Sequence, residues 1–355
     1  MVLRKHMIGY WSKFGMRLPN IVSFTPWYNS AIEIQTIIKT THVDVINFFY
    51  FYEGELSKIT PAVVKHINKH NITCNIVLAS SIDHQKKLVK QLGIDIELCN
   101  FYEWFDFFIL FAYHNMHHQP NFYNNTKKYL EGYDYKFTIP YSCFNHRAKP
   151  HRVALIDQLA KQNILNKGLV SFLGAGGHGI EFKHYDGKLL TLGDNFNQDH
   201  PYIFNKQYFE SFLHVATESW IEEFFLTEKT TMRLLFGLPF LTLGCKHFHK
   251  NLKDMGFVLY DEIFDYGFDD EELIDDRVEG IVKNIEYVLN SDVNELYQKI
   301  KEPLEYNRKV ALEYVKGKTI PSIVKAQMAE STAKPTRSGL DFDLYSMSLY
   351  LTSLQ

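Results

Sequence analysis

The amino-acid sequence predicts an α/β protein of two domains built on parallel sheets. Three observations carry this. With 355 residues the chain is long enough for two domains, each with its own core. Short apolar runs alternate with segments of helical spacing through both halves, the pattern of parallel sheets joined by helices. No internal repeat is obvious. The division expected is residues 1–165, residues 166–316, and a linker and tail over residues 317–355.

In the first half, Val43–Tyr50 (VDVINFFY) suits a buried strand. Thr60–Pro61 opens a helix with Val63, Val64 and Ile67 at helical spacing. Thr73–Ala79 is the next strand, and Ile82–Leu92 the next helix, ended by Gly93. Ile94–Leu98 reads as a short strand. Asp106–Phe111 reads as another, although its apolar run also suits a buried helical turn. Tyr113–Tyr135, polar, aromatic and rich in His and Asn, reads as an irregular connection. Phe137–Phe144 is strand-like, and Pro150–Asn163 is helical with Val153, Ile156, Leu159 and Ala160 on one face.

The second half opens near Gly168 with a strand over Leu169–Leu173. Leu189–Leu192 and Leu213–Thr217 read as strands, Glu228–Phe236 as a helix, and Pro239–Leu243 as a strand. His249–Met255 is helical and stopped by Gly256. Asp269–Leu289 and Val293–Val315 are the longest helical patterns. Ala329–Gly339 is polar without apolar periodicity, and Leu340–Gln355 reads as a tail able to dock.

Net charge is −3, so the field of the whole molecule does not favour a polyanion, although a local basic groove remains open. Aromatic residues reach 15%, which fits either an AT-rich genome or a surface that stacks on sugars. Cys74, Cys99, Cys143 and Cys245 are widely spaced, which argues against a disulfide framework or a cysteine zinc site and fits a reducing compartment. The first residues carry no apolar leader core. The most apolar stretch, Phe101–Ala112, is too short to span a bilayer and holds Glu103 and Asp106. A soluble, cytoplasmic protein is expected.

The stretch with most chemistry is Phe224–Gly244, FFLTEKTTMRLLFGLPFLTLG. A helix starting at Thr227 has a hydroxyl cap, an acid and a cation in its first turn, and its free N–H groups attract an anion. Lys229 offers a full charge to a phosphate, and Glu228 can accept from a ribose diol. An ordinary cap with a salt-bridged first turn would use the same residues.

This stretch resembles the donor site of fucosyltransferase-like enzymes. Their run reads roughly E-N-S, Y-I-T-E-K, then G-x-V-P; here it is VATESWIEEFFLTEKTTMRLLFGLPFL. A looser set of viral and bacterial glycosyltransferases continues with a Gly-Phe, Asp-rich, Arg-ended run, which Asp254–Arg277 resembles. Phe144–Phe172 is similar to the arginine-rich domain junction of the same set. The likeness covers Phe144–Phe172 and Leu213 to about Arg277; nothing before residue 140 takes part.

The resemblance implies a GT-B fold, two Rossmann-like domains facing each other across a cleft, and an inverting, metal-independent glycosyltransferase. The first domain would hold the acceptor and the second a nucleotide sugar, with GDP-sugars preferred. No resident cofactor is implied, since the nucleotide sugar is a co-substrate. Donor contacts would fall to Arg147, Arg152, Glu218, Thr227, Glu228 and Lys229, with Ser219 departing from the family Asn. An interdomain ion pair is the competing role for the two arginines. Asn145 and His151 are weaker candidates. The general base should be a strand-end carboxylate or His of the first domain. Glu53 is chosen, with Glu55 and Asp106 as alternatives. The acceptor is a glycan, a protein or a modified nucleic-acid base, and the charge balance favours a glycan.

Other patterns point elsewhere. Gly174–Gly179 (GAGGHG) matches a dinucleotide fingerprint, and an NAD(P)-linked oxidoreductase is the competing enzyme reading. Yet Asp186–Gly187 marks a turn where the crossover helix should lie. A non-catalytic nucleotide-sugar binder is the third reading. His114, His117 and His118 could ligate a metal, but no carboxylate cluster accompanies them. Asp269–Asp270 and Asp275–Asp276 suit acidic first turns of a helix better than a cation site.

Overall fold

The computed structural model describes residues 21–24, 31–50, 56, 58–118, 126–175, 181–191, 206–317 and 319–326. These fall into two compact units. One runs to Phe105 and takes in residues 321–326; the other spans Asp106 to Ile320. Each carries a four-stranded, all-parallel sheet, so the protein is mixed α/β.

In the first unit, β1 (Ile21–Phe24), β2 (Val45–Tyr50), β3 (Thr73–Leu78) and β4 (Cys99–Glu103) lie side by side in chain order. Helices α1 (Ala31–Thr40), α2 (Pro61–His70) and α3 (Ile82–Leu92) make the crossovers. Right-handed crossovers between strands in sequential order bring such helices to one face. The core has that composition. Ile34 and Ile38 of α1, Val63 and Ile67 of α2 and Val89 of α3 pack with Ile46, Phe48, Ile76 and Leu78 of the strands.

Alternate strand residues point the other way. There Ser23, Asn47, Asn75 and Asn100 meet in register across all four strands. Each asparagine donates to its neighbour: Asn100 to Asn75 Oδ1 (2.9 Å), Asn75 to Asn47 Oδ1 (2.8 Å), and Asn47 to Ser23 Oγ (3.2 Å).

Helix α2 begins where expected, because the Thr60 hydroxyl accepts the Val63 N–H (3.4 Å) and Pro61 has no N–H to orphan. Ser81 caps α3 through the His84 N–H (3.2 Å). Gly93 stops α3 at φ 81°, a conformation costly for any residue with a Cβ. The strand expected over Ile94–Leu98 is instead a 3-10 turn, Ile96–Leu98, with β4 after it. Asp95 accepts the Glu97 N–H at 3.1 Å, and this local cap competes successfully with extension.

The second unit holds α4 (Phe107–His118), β5 (Ile139–Arg147), α5 (Pro150–Lys161), β6 (Leu169–Ala175), α6 (Lys206–Glu210) and β7 (Ser211–Thr217). After these come α7 (Glu228–Phe236), β8 (Phe240–Leu243), α8 (Phe248–Asp254), α9 (Ile274–Leu289) and α10 (Val293–Val315). The strand order is β6-β5-β7-β8. From β5 the chain steps one way to β6, and from β7 the other way to β8. Right-handed crossovers therefore place α5 and α7 on opposite faces. Helix α9 packs on α5, while α4 and α10 pack on α7.

The domain boundary expected at residue 165 cuts this sheet. Strand β5 is bonded to both β6 and β7, so residues from Asp106 onward belong with the second unit. Asp106–Phe111, expected as a strand, opens α4. Its run is apolar on every side and carries no period that separates strand from helix. Phe108 buries edge-to-face on Phe225 at 5.7 Å, and a helix satisfies its own backbone in such surroundings.

The connection over Tyr113–Tyr135 is helical to His118 and again over residues 126–130. Of the strand expected over Leu189–Leu192, the described residues 189–191 contribute a single antiparallel bridge, Leu190 to Phe172. Asp269–Leu289 is split into a 3-10 turn (Gly267–Asp270) and α9. The segments 329–339 and 340–355 lie outside the described residues. Among the described residues, no helix is long and apolar enough to cross a membrane.

Candidate functional site at the strand-order reversal

The order of the second sheet reverses between β5 and β7, so their carboxyl ends diverge into crossovers on opposite faces. Open parallel sheets bind ligands outside the carboxyl ends of the strands at such a point. Here that place is occupied by the end of β5 (Asn145, Arg147), the end of β7 (Thr217, Glu218) and the first turns of α5 and α7.

The β5–β7 seam is pinned from within. Buried Asn145 accepts the Thr217 hydroxyl proton on Oδ1 at 2.6 Å. Arg152, only 4% exposed, reaches the Thr217 carbonyl (3.1 Å), the Glu218 carbonyl (3.4 Å) and the Arg147 carbonyl (3.4 Å). His151 Nε2 lies 3.0 Å from the Glu218 carbonyl, so that nitrogen carries the proton and donates. Burial, aided by the Arg152 charge, pushes its pKa down to about 3, and the ring is neutral. Lys149 Nζ donates to the Ser219 carbonyl at 2.6 Å.

The N-terminus of α7 is anchored to the same strand end. Glu218 is fully buried. Its Oε1 accepts from the Thr227 N–H (3.2 Å) and the Thr230 hydroxyl (2.7 Å), and its Oε2 from the Thr227 hydroxyl. Burial raises the Glu218 carboxyl pKa. Thr227 caps the helix by accepting the Lys229 N–H at 3.4 Å, and Gly237 ends it at φ 64°.

On this base Glu228 and Lys229 keep 20% and 22% of their side chains exposed, paired Oε1 to Nζ at 2.9 Å. Lys229 Nζ also donates to Thr227 Oγ1 at 3.3 Å. Burial works to raise the Glu228 carboxyl, but the ammonium beside it outweighs burial and holds it below the ordinary range.

The expected donor contacts therefore separate into two groups. Arg147, Glu228 and Lys229 stand at the surface of the strand-order reversal. Glu218, Thr227 and Arg152 are buried and hold the scaffold beneath them. Asn145 and His151 belong with the scaffold too. Glu53, Glu55 and the side chains of His117 and His118 lie outside the described residues. Asp106 is buried, accepts from the Thr319 hydroxyl and has its carboxyl pKa raised by burial.

Of the glycine run, Gly174 takes φ 64°, and residues 176–179 are outside the described part. The described part of the following segment, 181–191, contains no helix and returns antiparallel through Leu190. Among the described residues, no group of three or more His, Cys, Asp or Glu could hold a metal ion. Asp269 serves α8: it accepts from the His249 N–H (2.9 Å), the Lys250 N–H (3.1 Å) and His249 Nδ1 (2.9 Å). His249 Nε2 accepts the Thr242 N–H (3.1 Å), which fixes its proton on Nδ1.

Sequence reasoning missed Lys149, Thr230 and the scaffold role of Arg277. Thr230 was findable, three residues after Thr227 and so on the same side of the helix. Buried Arg277 donates to the Gly244 carbonyl just after β8, a contact only the fold creates.

Fold and site define a parallel α/β protein with an acid–cation pair at a helix N-terminus beside its strand-order reversal. Comparison with protein-family models, with curated proteins and with solved structures gives no match in any of the three.

Proposed function

We propose that this chain is a glycosyltransferase of the GT-B type that moves a sugar from a nucleotide sugar to a hydroxyl acceptor. The observation that carries the reading is the first turn of α7. Lys229 and Glu228 stand there half-buried beside the carboxyl ends of β5 and β7, on a base fixed by Glu218. A nucleoside diphosphate needs an anion site and a diol acceptor side by side. The TEK run makes GDP-sugars the first donors to test.

In this reading the Lys229 ammonium and the N–H groups of the first turn hold the diphosphate, and Arg147 adds a second cation. Glu228 accepts from the ribose hydroxyls. A base in the first unit, Glu53 first among the candidates, takes the acceptor proton. The acceptor oxygen then bonds to the anomeric carbon as the bond from that carbon to the diphosphate oxygen breaks. The anomeric configuration inverts, and the cations stabilise the leaving diphosphate. A glycan is the favoured acceptor over a nucleic-acid base.

A nucleotide panel read by thermal shift tests this. GDP or UDP should raise the melting temperature and NAD should not; stabilisation by NAD alone would overturn the proposal. Transfer itself is tested by a donor and acceptor screen read by mass spectrometry.

A further inference from the structure

Cys74 of β3 and Cys99 of β4 are direct register partners on neighbouring parallel strands. Parallel strands lie about 4.8 Å apart, within the range of Cα separations that a disulfide spans. Residues in register point to the same face, here the helix-covered one, where Cys74 belongs to the core cluster and Cys99 packs against it.

Their surroundings differ in the way a peroxide-reactive pair requires. Cys74 is fully buried in the middle of the sheet, whereas Cys99 is half-buried at the first residue of edge strand β4. Each sulfur also has a backbone carbonyl to bond, Ile72 for Cys74 and Asp95 for Cys99, both at 3.6 Å. The Cys74 thiol can therefore turn its proton toward Cys99 when Cys99 ionises. That contact lowers the Cys99 pKa and holds Cys74 protonated.

We propose that Cys74 and Cys99 form a reversible redox pair, closed by hydroperoxides into a cross-strand disulfide. The Cys99 thiolate attacks the peroxide O–O bond, giving a sulfenic acid and releasing hydroxide, which the Cys99 proton converts to water. The Cys74 sulfur then attacks the sulfenic sulfur, the S–O bond breaks, and a second water leaves with the Cys74 proton. Two thiols and one hydrogen peroxide thus yield one disulfide and two waters. The bond would tie β4 to β3 near the point where the chain leaves the first unit at Phe105.

The test treats the reduced full-length protein with hydrogen peroxide, then maps thiols by alkylation under denaturing conditions and mass spectrometry. The expected result is a loss of two hydrogens and a Cys74–Cys99 linked peptide pair, both reversed by dithiothreitol, with Cys143 and Cys245 still alkylated. Cys74→Ser should halt the reaction at a Cys99 sulfenic acid that dimedone captures. Oxygen addition at Cys99 in the wild-type chain with Cys74 left alkylatable, or linkage of any other pair, would overturn the proposal. The wild-type chain alone supplies both outcomes, so the pair is tested even where a variant misfolds.

Discussion

Lys229 is the residue on which the functional reading turns. Its ammonium already bonds Glu228 and Thr227, so a bound diphosphate would join or displace those contacts rather than meet a bare charge. Lys229→Ala should weaken nucleoside diphosphate binding by about 1.5–3 kcal/mol, the range for a hydrogen bond to a charged group. Unchanged affinity by calorimetry in a folded variant refutes the assignment. Glu53→Gln should abolish transfer while leaving donor binding intact, and turnover against affinity separates the two.

His151 gives a pH signature. In the folded chain its pKa is depressed to about 3, whereas the unfolded chain protonates it near the ordinary value of 6.5. The unfolded state therefore binds more protons between those two values. The stability that His151 contributes is complete above about pH 6.5 and is lost as the pH falls toward 3. One such group contributes at most about 1.4 kcal/mol per pH unit. His151→Gln keeps a donor for the Glu218 carbonyl and should flatten the acid limb of a plot of melting temperature against pH. His214, depressed in the same direction by burial, keeps the limb from vanishing. An unaltered slope would show that His151 does not titrate as described.

At the scale of elements, the helices with chemical punctuation were the legible ones. Ile82–Leu92, Glu228–Phe236 and Val293–Val315 match the sequence reading residue for residue, because caps and glycine stops are local signals. Asp106–Phe111 was misread because an apolar run without period leaves the choice to tertiary burial, and Ile94–Leu98 because the Asp95 cap on the Glu97 N–H competes with extension.

The site follows the same divide. The TEK turn was visible as a capped helix start, but the burial of Glu218 was not, since its hydroxyl partners are nine and twelve residues on. Glu218→Gln puts an amide group where Glu218 now accepts from three donors. It should cost about 1–3 kcal/mol in chemical denaturation, and a loss well below that range contradicts an anchoring role. Asn75→Ala removes both a donor and an acceptor from the middle of the asparagine ladder. About 1–3 kcal/mol should be lost by the same measurement.

For the whole molecule, the consequential finding is which sheet owns β5. A chain spanning residues 106–320 keeps the central strand with both its neighbours and should unfold cooperatively by circular dichroism. A chain spanning residues 166–320 lacks β5, leaves β6 and β7 without the strand that joins them, and should show no cooperative transition. A cooperative transition in the shorter chain would contradict the pairing.

The sequence by itself determined the α/β class, the places where the punctuated helices α3, α7 and α10 start and stop, and the acid–cation turn that begins α7. These rest on interactions within a few residues of the chain. Only the tertiary structure decided that β5 joins the second sheet, that the strand order reverses beside Glu218, and that Glu218, Thr227 and Arg152 face inward. Those outcomes depend on pairings between residues far apart in the chain, to which local periodicity is blind.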